Sequence, residues 1–188
     1  MSLLGAVLVG GRSSRMGTDK AAIEISGTSM LDRVAGAVAQ VTTRVVVLGG
    51  TRESYESWPD QTPIPGPLAG VATALARMTE DRALVVAVDN AFVSPDTLRH
   101  LVAVESELPV VPVDLDGVRQ VTCAIYPKTI ADIAIEEAEA GGSIQTLLDR
   151  VSFLPVTPEA WTAWDEDGRS WFSVDTPGDI ETGLQRFA

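Results

Sequence analysis

Short apolar runs alternate with helical periodicities along this chain. Leu3 to Val9 is an uninterrupted apolar stretch of strand length, the pattern of a strand buried on both faces of a parallel sheet. A glycine-rich loop follows, then an extended piece, Ala21 to Ile25, that stops at Ser26-Gly27. Ser29 can cap a helix in which Met30, Leu31, Val34, Ala35, Val38 and Val41 recur at helical spacing. Arg44 to Leu48 predicts a second buried strand. Gly49 to Pro67, rich in proline and glycine and carrying Trp58, predicts a long connection of the kind found at functional edges. Leu68 to Arg77 predicts a helix and Ala83 to Val88 a third buried strand that ends at Asp89. Ser94-Pro95-Asp96 supplies a cap, a first-position proline and a first-turn acid, so a helix starts there.

Further on, Pro109 to Val113 and Arg119 to Tyr126 flank Asp114-Leu115-Asp116-Gly117, whose Asp-Gly is a turn signal for a hairpin or a sharp reversal, with antiparallel pairing as the expectation. A helix over Thr129 to Ala140 ends at Gly141-Gly142, and Ser143 caps a short one to Arg150. The apolar Val151 to Val156 comes next, and a last helix starts at Thr176-Pro177. Strands alternating with helices predict an α/β sandwich of three layers, a mostly parallel central sheet with helices on both faces. Ligands of such sheets bind outside the carboxyl ends of the strands.

The length, 188 residues, predicts one domain over residues 1–188. Lys and Arg total 14 against 26 Asp and Glu, a net charge of −12, which argues against nucleic acid and anionic membrane as partners. Single copies of cysteine (Cys123) and histidine (His100) exclude zinc sites of four cysteines or three histidines, and a Ser-His-Asp triad that does not use His100. Any metal should therefore be held by oxygen. Apolar runs such as Ala83 to Val88 fall far short of the ~20 residues that span a bilayer. No basic stretch precedes Leu3 to Val9, so no export is expected and the cytoplasm is the expected compartment.

The chemistry concentrates after the first strand, in Leu8-Val9-Gly10-Gly11-Arg12-Ser13-Ser14-Arg15-Met16-Gly17-Thr18-Asp19-Lys20. Glycines let backbone N–H groups approach a polyphosphate, Ser13 and Ser14 add donors, and Arg15 and Lys20 neutralise charge. The alternative is a solvated strand-to-helix loop. Neither the Walker A ending nor the GxGxxG fingerprint is present. The loop closely resembles the signature of the molybdenum cofactor guanylyltransferases, Leu-Ala-Gly-Gly-x-Ser-x-Arg-Met-Gly-x-Asp-Lys, with Val9 in place of alanine. Related cytidylyltransferases favour Ala-Ala-Gly, so Gly10-Gly11 leans toward guanine.

Three further segments carry the resemblance. Gly66-Pro67-Leu68-Ala69-Gly70 matches the family's segment bordering the base pocket, where Gly66 and Gly70 would allow close approach. Asp60 matches an acidic position implicated in GTP contact, and a carboxylate can accept from the guanine edge or from ribose hydroxyls. Asp89 looks like the family's metal aspartate, but the family follows it with a proline and this chain writes Asp89-Asn90-Ala91-Phe92, which leaves the loop geometry open. Phe172-Ser173-Val174-Asp175-Thr176-Pro177-Gly178-Asp179 is similar to Asn-x-Asn-Thr-Pro-x-Asp/Glu, with Ser173 and Asp175 for the asparagines; Asp175 is a candidate second metal ligand, and Thr176, Pro177 and Asp179 also make a helix start.

The resemblance implies a Rossmann-like nucleotidyltransferase fold and transfer of GMP from GTP to molybdopterin or its molybdenum form, with Mg²⁺ and release of pyrophosphate. Arg15, Lys20 and Asp89 would act in catalysis. Leu8, Val9, Gly10, Gly11, Ser13, Lys20, Asp60, Gly66, Pro67, Leu68, Gly70 and Asp89 would bind nucleotide, and Asp89 and Asp175 the metal. A molybdoenzyme or its chaperone is a candidate contact. Two alternatives stay open: a CTP- or GTP-dependent relative with another small phosphorylated acceptor, and a nucleotide-binding accessory protein without turnover. Arg119 is a candidate for an acceptor phosphate or a plain hairpin arginine. Trp161, Trp164 and Trp171 are candidates for a pterin contact or for core. His100 reads as surface and Cys123 as core.

Overall fold

The computed structural model describes residues 2–9 and 19–187. Its centre is β1 (Leu3–Leu8), where side chains alternate between faces. Leu4, Ala6 and Leu8 join one buried cluster and Val7, with Val9 beyond the strand, the other. A strand apolar on both faces must lie mid-sheet with helices on either side. After it come the small hairpin of β2 (Glu24–Ile25) and β3 (Thr28–Ser29), then α1 (Met30–Ala39), β4 (Val45–Leu48), β5 (Glu56–Trp58), α2 (Pro67–Arg77) and β6 (Arg82–Ala87). The second half comprises α3 (Pro95–Ala103), β7 (Val110–Pro112), β8 (Cys123–Pro127), α4 (Ala131–Glu139), α5 (Ile144–Arg150), β9 (Leu154–Val156), α6 (Pro158–Thr162) and α7 (Pro177–Phe187).

Seven strands form one sheet in the order β5-β4-β1-β6-β8-β7-β9, in which β8 alone runs against the rest. Residues of α1, α3, α6 and α7 pack on one face, and residues of α2, α4 and α5 on the other. This is the mostly parallel three-layer α/β arrangement that the periodicities predict. Among the described residues no helix is long and apolar enough to cross a membrane.

Several boundaries differ from expectation. The connection from Gly49 to Pro67 contains β5, a three-residue edge strand paired to Val46–Leu48. The strand expected over Arg119 to Tyr126 begins only at Cys123; Arg119 makes a single bridge to Val113, and Asp114 Oδ1 folds the turn by accepting from the Asp116 and Val118 amides. The Val151 to Val156 run pairs only over β9. A short helix, α6, and a 3₁₀ turn at Arg169–Trp171 occupy a stretch for which the sequence predicted no element.

Candidate functional site

The parallel ladder continues beyond the central strands: the Val9 amide donates to Leu48 O at 2.9 Å and the Val88 amide to Leu8 O at 2.9 Å. Asp89 therefore emerges beside the end of β1, at the carboxyl edge of the sheet. That edge is where open α/β sheets place ligands.

When the chain returns at Asp19, that side chain caps the 3₁₀ turn Lys20–Ala22 by accepting from the Ala21 amide, and it also holds Arg52 at 2.8 Å. Fixed at its base, Lys20 turns inward with only 13% of its side chain exposed. Its ammonium lies 2.6 Å from Asp175 Oδ1 and 3.9 Å from Asp89 Oδ2. The two carboxyls are shifted in opposite directions. The Lys20 hydrogen bond holds the Asp175 carboxyl below the usual range, whereas burial pushes Asp89 up against the weaker pull of Lys20, and the neighbouring Asp175 adds to that rise. One ammonium serves two carboxylates, and Asp89 is the under-compensated one.

The missing proline after Asp89 does not leave the loop loose. Asn90 N donates to Ala87 O and Val93 N to Asn90 O, each at 3.0 Å, while Arg33 Nε donates to Ala91 O at 3.0 Å and its guanidinium lies over Phe92. The Val174 amide donates to Asp89 O at 2.9 Å, binding the second acid-bearing segment to the first. Asp175 is steadied by the Ser173 hydroxyl at 3.1 Å and through its own amide by Asp179 Oδ2, which also accepts from Thr176 N–H and O–H. Thr176 and Asp179 thus perform the helix-start role as well.

On the α2 side of the sheet, the Gln61 amide donates to Thr73 Oγ1 at 3.0 Å, anchoring the backbone beside Asp60 to α2. Asp60 Oδ1 is buried and has no hydrogen-bond partner among the described residues, and burial pushes its carboxyl up. A cavity of about 330 Å³ opens at the start of α2 between Gly66, Pro67 and Leu68 on one side and Val121, Thr122 and Ser143 on the other. That size and its mainly apolar lining suit a flat heterocycle. Gly66 has open space where a Cβ would stand. Gly70 does not: a Cβ there would meet Leu8 Cδ2 at 2.6 Å and Leu48 Cβ at 3.4 Å, so the close approach it permits is of α2 to the sheet, and Leu8 is part of that packing.

Gly10, Gly11, Ser13 and Arg15 lie outside the described residues. Arg119 pairs with Asp149 at 2.8 Å and rests on Phe153. Trp161 and Trp171 stack edge to face in the core, with Trp161 Nε1 donating to Val113 O at 2.8 Å, while Trp164 stacks on His100. The core alternative holds for Trp161 and Trp171. Cys123 is buried and its thiol is pushed up by that burial. Arg52 and Arg33 are additions that sequence reasoning missed, since neither lies in a motif.

A model of the MobA-like NTP transferase domain matches residues 5–154. The chain belongs to this family. It is 33% identical over 186 residues to a probable molybdenum cofactor guanylyltransferase of Pelotomaculum thermopropionicum, covering 94% of this chain and 89% of that protein. A second protein of the same name, from Natronomonas pharaonis, is 29% identical with 98% of each chain covered. The fold is shared with molybdopterin-guanine dinucleotide biosynthesis protein A of Archaeoglobus fulgidus at a TM-score of 0.83 and 23% identity, covering 97% of both chains. It is also shared with the 2-C-methyl-D-erythritol 4-phosphate cytidylyltransferase of Thermus thermophilus at 0.71 and 15%, covering 98% of both. A fold found under both names does not choose the base. Asp175 lies beyond the 5–154 match, though the Natronomonas relative covers nearly all of the chain.

Proposed function

We propose that the chain is a molybdenum cofactor guanylyltransferase that transfers GMP from GTP to molybdopterin. The observation that carries this reading is the convergence of Asp89 and Asp175 on the Lys20 ammonium at the carboxyl edge of the sheet. Mg²⁺ binds through one or two carboxylates together with substrate phosphates. Two carboxylates already gathered around one cation, with Asp89 under-compensated, fit that ion. When bound, Mg²⁺ would neutralise phosphate charge and polarise the reacting phosphoryl group.

The chain's own residues do the rest. Lys20 exchanges its carboxylate partner for phosphate oxygens, and triphosphate binding is the role assigned to Gly10, Gly11, Ser13 and Arg15 of the glycine-rich sequence motif. Val9 directly precedes Gly10. Asp60 Oδ1, buried without a partner among the described residues, accepts from the guanine edge, and the cavity at Gly66, Pro67 and Leu68 takes the ring. An unpaired buried acceptor is costly until a donor arrives, which favours a base presenting N–H groups there. An oxygen of the acceptor's phosphate monoester attacks the α-phosphorus in line. A P–O–P bond forms, and the bond to the β-phosphate breaks to release pyrophosphate. The nucleophile is already an anion, so positioning and charge neutralisation suffice and no covalent enzyme intermediate is needed.

Calorimetric titration of GTP and of CTP, with and without Mg²⁺, tests the reading. GTP should bind more tightly than CTP, with a Mg²⁺-dependent gain that is lost in Asp89→Asn. Tighter CTP binding would place the chain with the cytidylyl branch, and GTP binding indifferent to both Mg²⁺ and Asp89→Asn would remove the metal role of the acid pair.

A further inference from the structure

Behind the Asp89 and Asp175 pair stands a carboxylate that no step above uses. Glu166 lies in the segment between α6 and α7 and is only 4% exposed. Its Oε1 accepts from the Gly168 amide at 2.7 Å and the Ser170 amide at 3.1 Å, and its Oε2 from the Thr97 and Ser170 hydroxyls, each at 2.5 Å. All of these donors are neutral. They belong to two separate pieces of chain: Thr97 is in the first turn of α3, the helix entered directly from the Asp89 loop, and Ser170 is in the 3₁₀ turn that leads to Asp175. Ser170 Oγ accepts in turn from the amide of Ser94, the cap of α3, at 3.1 Å.

The placement is symmetric. Ser94 lies five residues after Asp89, and Ser170 five residues before Asp175. The two segments are tied at the far end by Glu166, Thr97, Ser170 and Ser94, and near the acids by the Val174 amide on Asp89 O. Between the ties, Phe92 meets Phe172 edge to face at 6.0 Å. Apolar packing of that kind holds segments together without fixing how far one slides along the other, because it is not directional. Hydrogen bonds to a carboxylate are directional and short. Burying an acid carries a desolvation penalty that an apolar side chain would not. What the acid adds is register.

We propose that Glu166 is a positioning residue that sets the separation of Asp89 and Asp175, and so the affinity of that pair for a divalent cation. The metal part rests on the reading of the pair given above, while the geometric part does not. The test uses the full chain with Mn²⁺ as the probe. Binding of Mn²⁺ to the GTP complex is followed by electron paramagnetic resonance, and hydrogen exchange of the Val174 amide is read in the same variants.

In Glu166→Ala, the Mn²⁺ affinity should fall about tenfold or more, as for other residues that orient metal ligands. Val174 exchange should rise and metal-free GTP binding should stay the same. Glu166→Gln should restore both, since its amide oxygen can accept from the Gly168 and Ser170 N–H groups while its NH₂ donates to the hydroxyl oxygens. A Glu166→Ala protein that melts lower yet keeps wild-type Mn²⁺ affinity and Val174 protection overturns the proposal. So does a Glu166→Gln protein as impaired as Glu166→Ala, because charge and not geometry would then be the contribution. Should Glu166→Ala fail to fold, Thr97→Val decides by the same readouts: weaker Mn²⁺ binding with faster Val174 exchange supports the clamp, and no change in either overturns it. If the wild-type GTP complex binds no Mn²⁺, the metal reading falls, and Val174 exchange alone still decides whether Glu166 holds the two segments in register.

Discussion

Glu166 and Asp89 are acids on neighbouring segments of the same edge, and they are treated in opposite ways. Glu166 is saturated: four fixed donors converge on its two oxygens, each within 3.1 Å. Asp89 has an ammonium at 3.9 Å that sits closer to Asp175, and burial pushes its carboxyl up. A saturated acid has no coordination left to offer and serves the fold. An under-compensated one costs stability until a cation comes, which is the condition expected of a group kept for substrate chemistry. The same contrast separates Gly66 from Gly70 within one five-residue motif, since the first faces open space and the second is filled by Leu8.

The largest effect that would break this contrast belongs to Asp89. Asp89→Ala should lower turnover by about 10²-fold or more in a pyrophosphate-release assay; near wild-type rates would show that the acid is merely structural. Lys20→Ala should cost about 10²-fold in the same assay. It should also return the Asp175 carboxyl toward ordinary values in an NMR titration, because the Lys20 hydrogen bond is the main cause of its depression.

Next is Asp60→Asn, for which GTP affinity should fall about tenfold if the carboxylate accepts from the base. Stability should move the other way. The folded carboxyl is raised by burial, so its stabilising contribution is complete below the unfolded value of about 3.9 and is lost as pH rises through the raised value. Asp60→Asn should therefore melt higher than wild type at neutral pH, and the gap should close in acid. Equal melting temperatures at neutral pH would contradict a carboxyl raised by burial. The smallest effect is expected at the packing glycine. Gly70→Ala should cost about 1 kcal/mol in urea denaturation by crowding Leu8, with GTP contacts retained. A loss of GTP affinity larger than the loss of stability would return Gly70 to the ligand surface.

How legible these parts are in the sequence depends on whether the signal is local. β1 and β6 can be read directly, because strands buried on both faces must be apolar throughout. β5 cannot, since Glu56-Ser57-Trp58 has no apolar run and becomes a strand only by pairing with Val46–Leu48 at the sheet edge. Arg119 to Val121 has strand-like residues but meets no continuous partner before Cys123. In the site, Lys20, Asp89 and Asp175 come from motifs, and the fold brings together side chains that lie up to 155 positions apart. Arg52 and Glu166 carry no motif: each lies among other charges in an aperiodic stretch (Glu53 follows Arg52, and Asp165 and Asp167 flank Glu166), and its partner, Asp19 or Thr97, is 33 or 69 positions away. Only the closed fold shows that one is anchored beside the site and the other behind it.

Turnover with the acceptor decides whether the chain is a guanylyltransferase. Purified protein is incubated with molybdopterin, Mg²⁺ and either GTP or CTP, and pyrophosphate and the dinucleotide product are measured together. Equimolar pyrophosphate and guanine dinucleotide are expected from GTP, with little product from CTP and loss of both products in Asp89→Ala. Formation of the cytosine product in preference, or GTP-driven turnover that survives Asp89→Ala, would contradict that role.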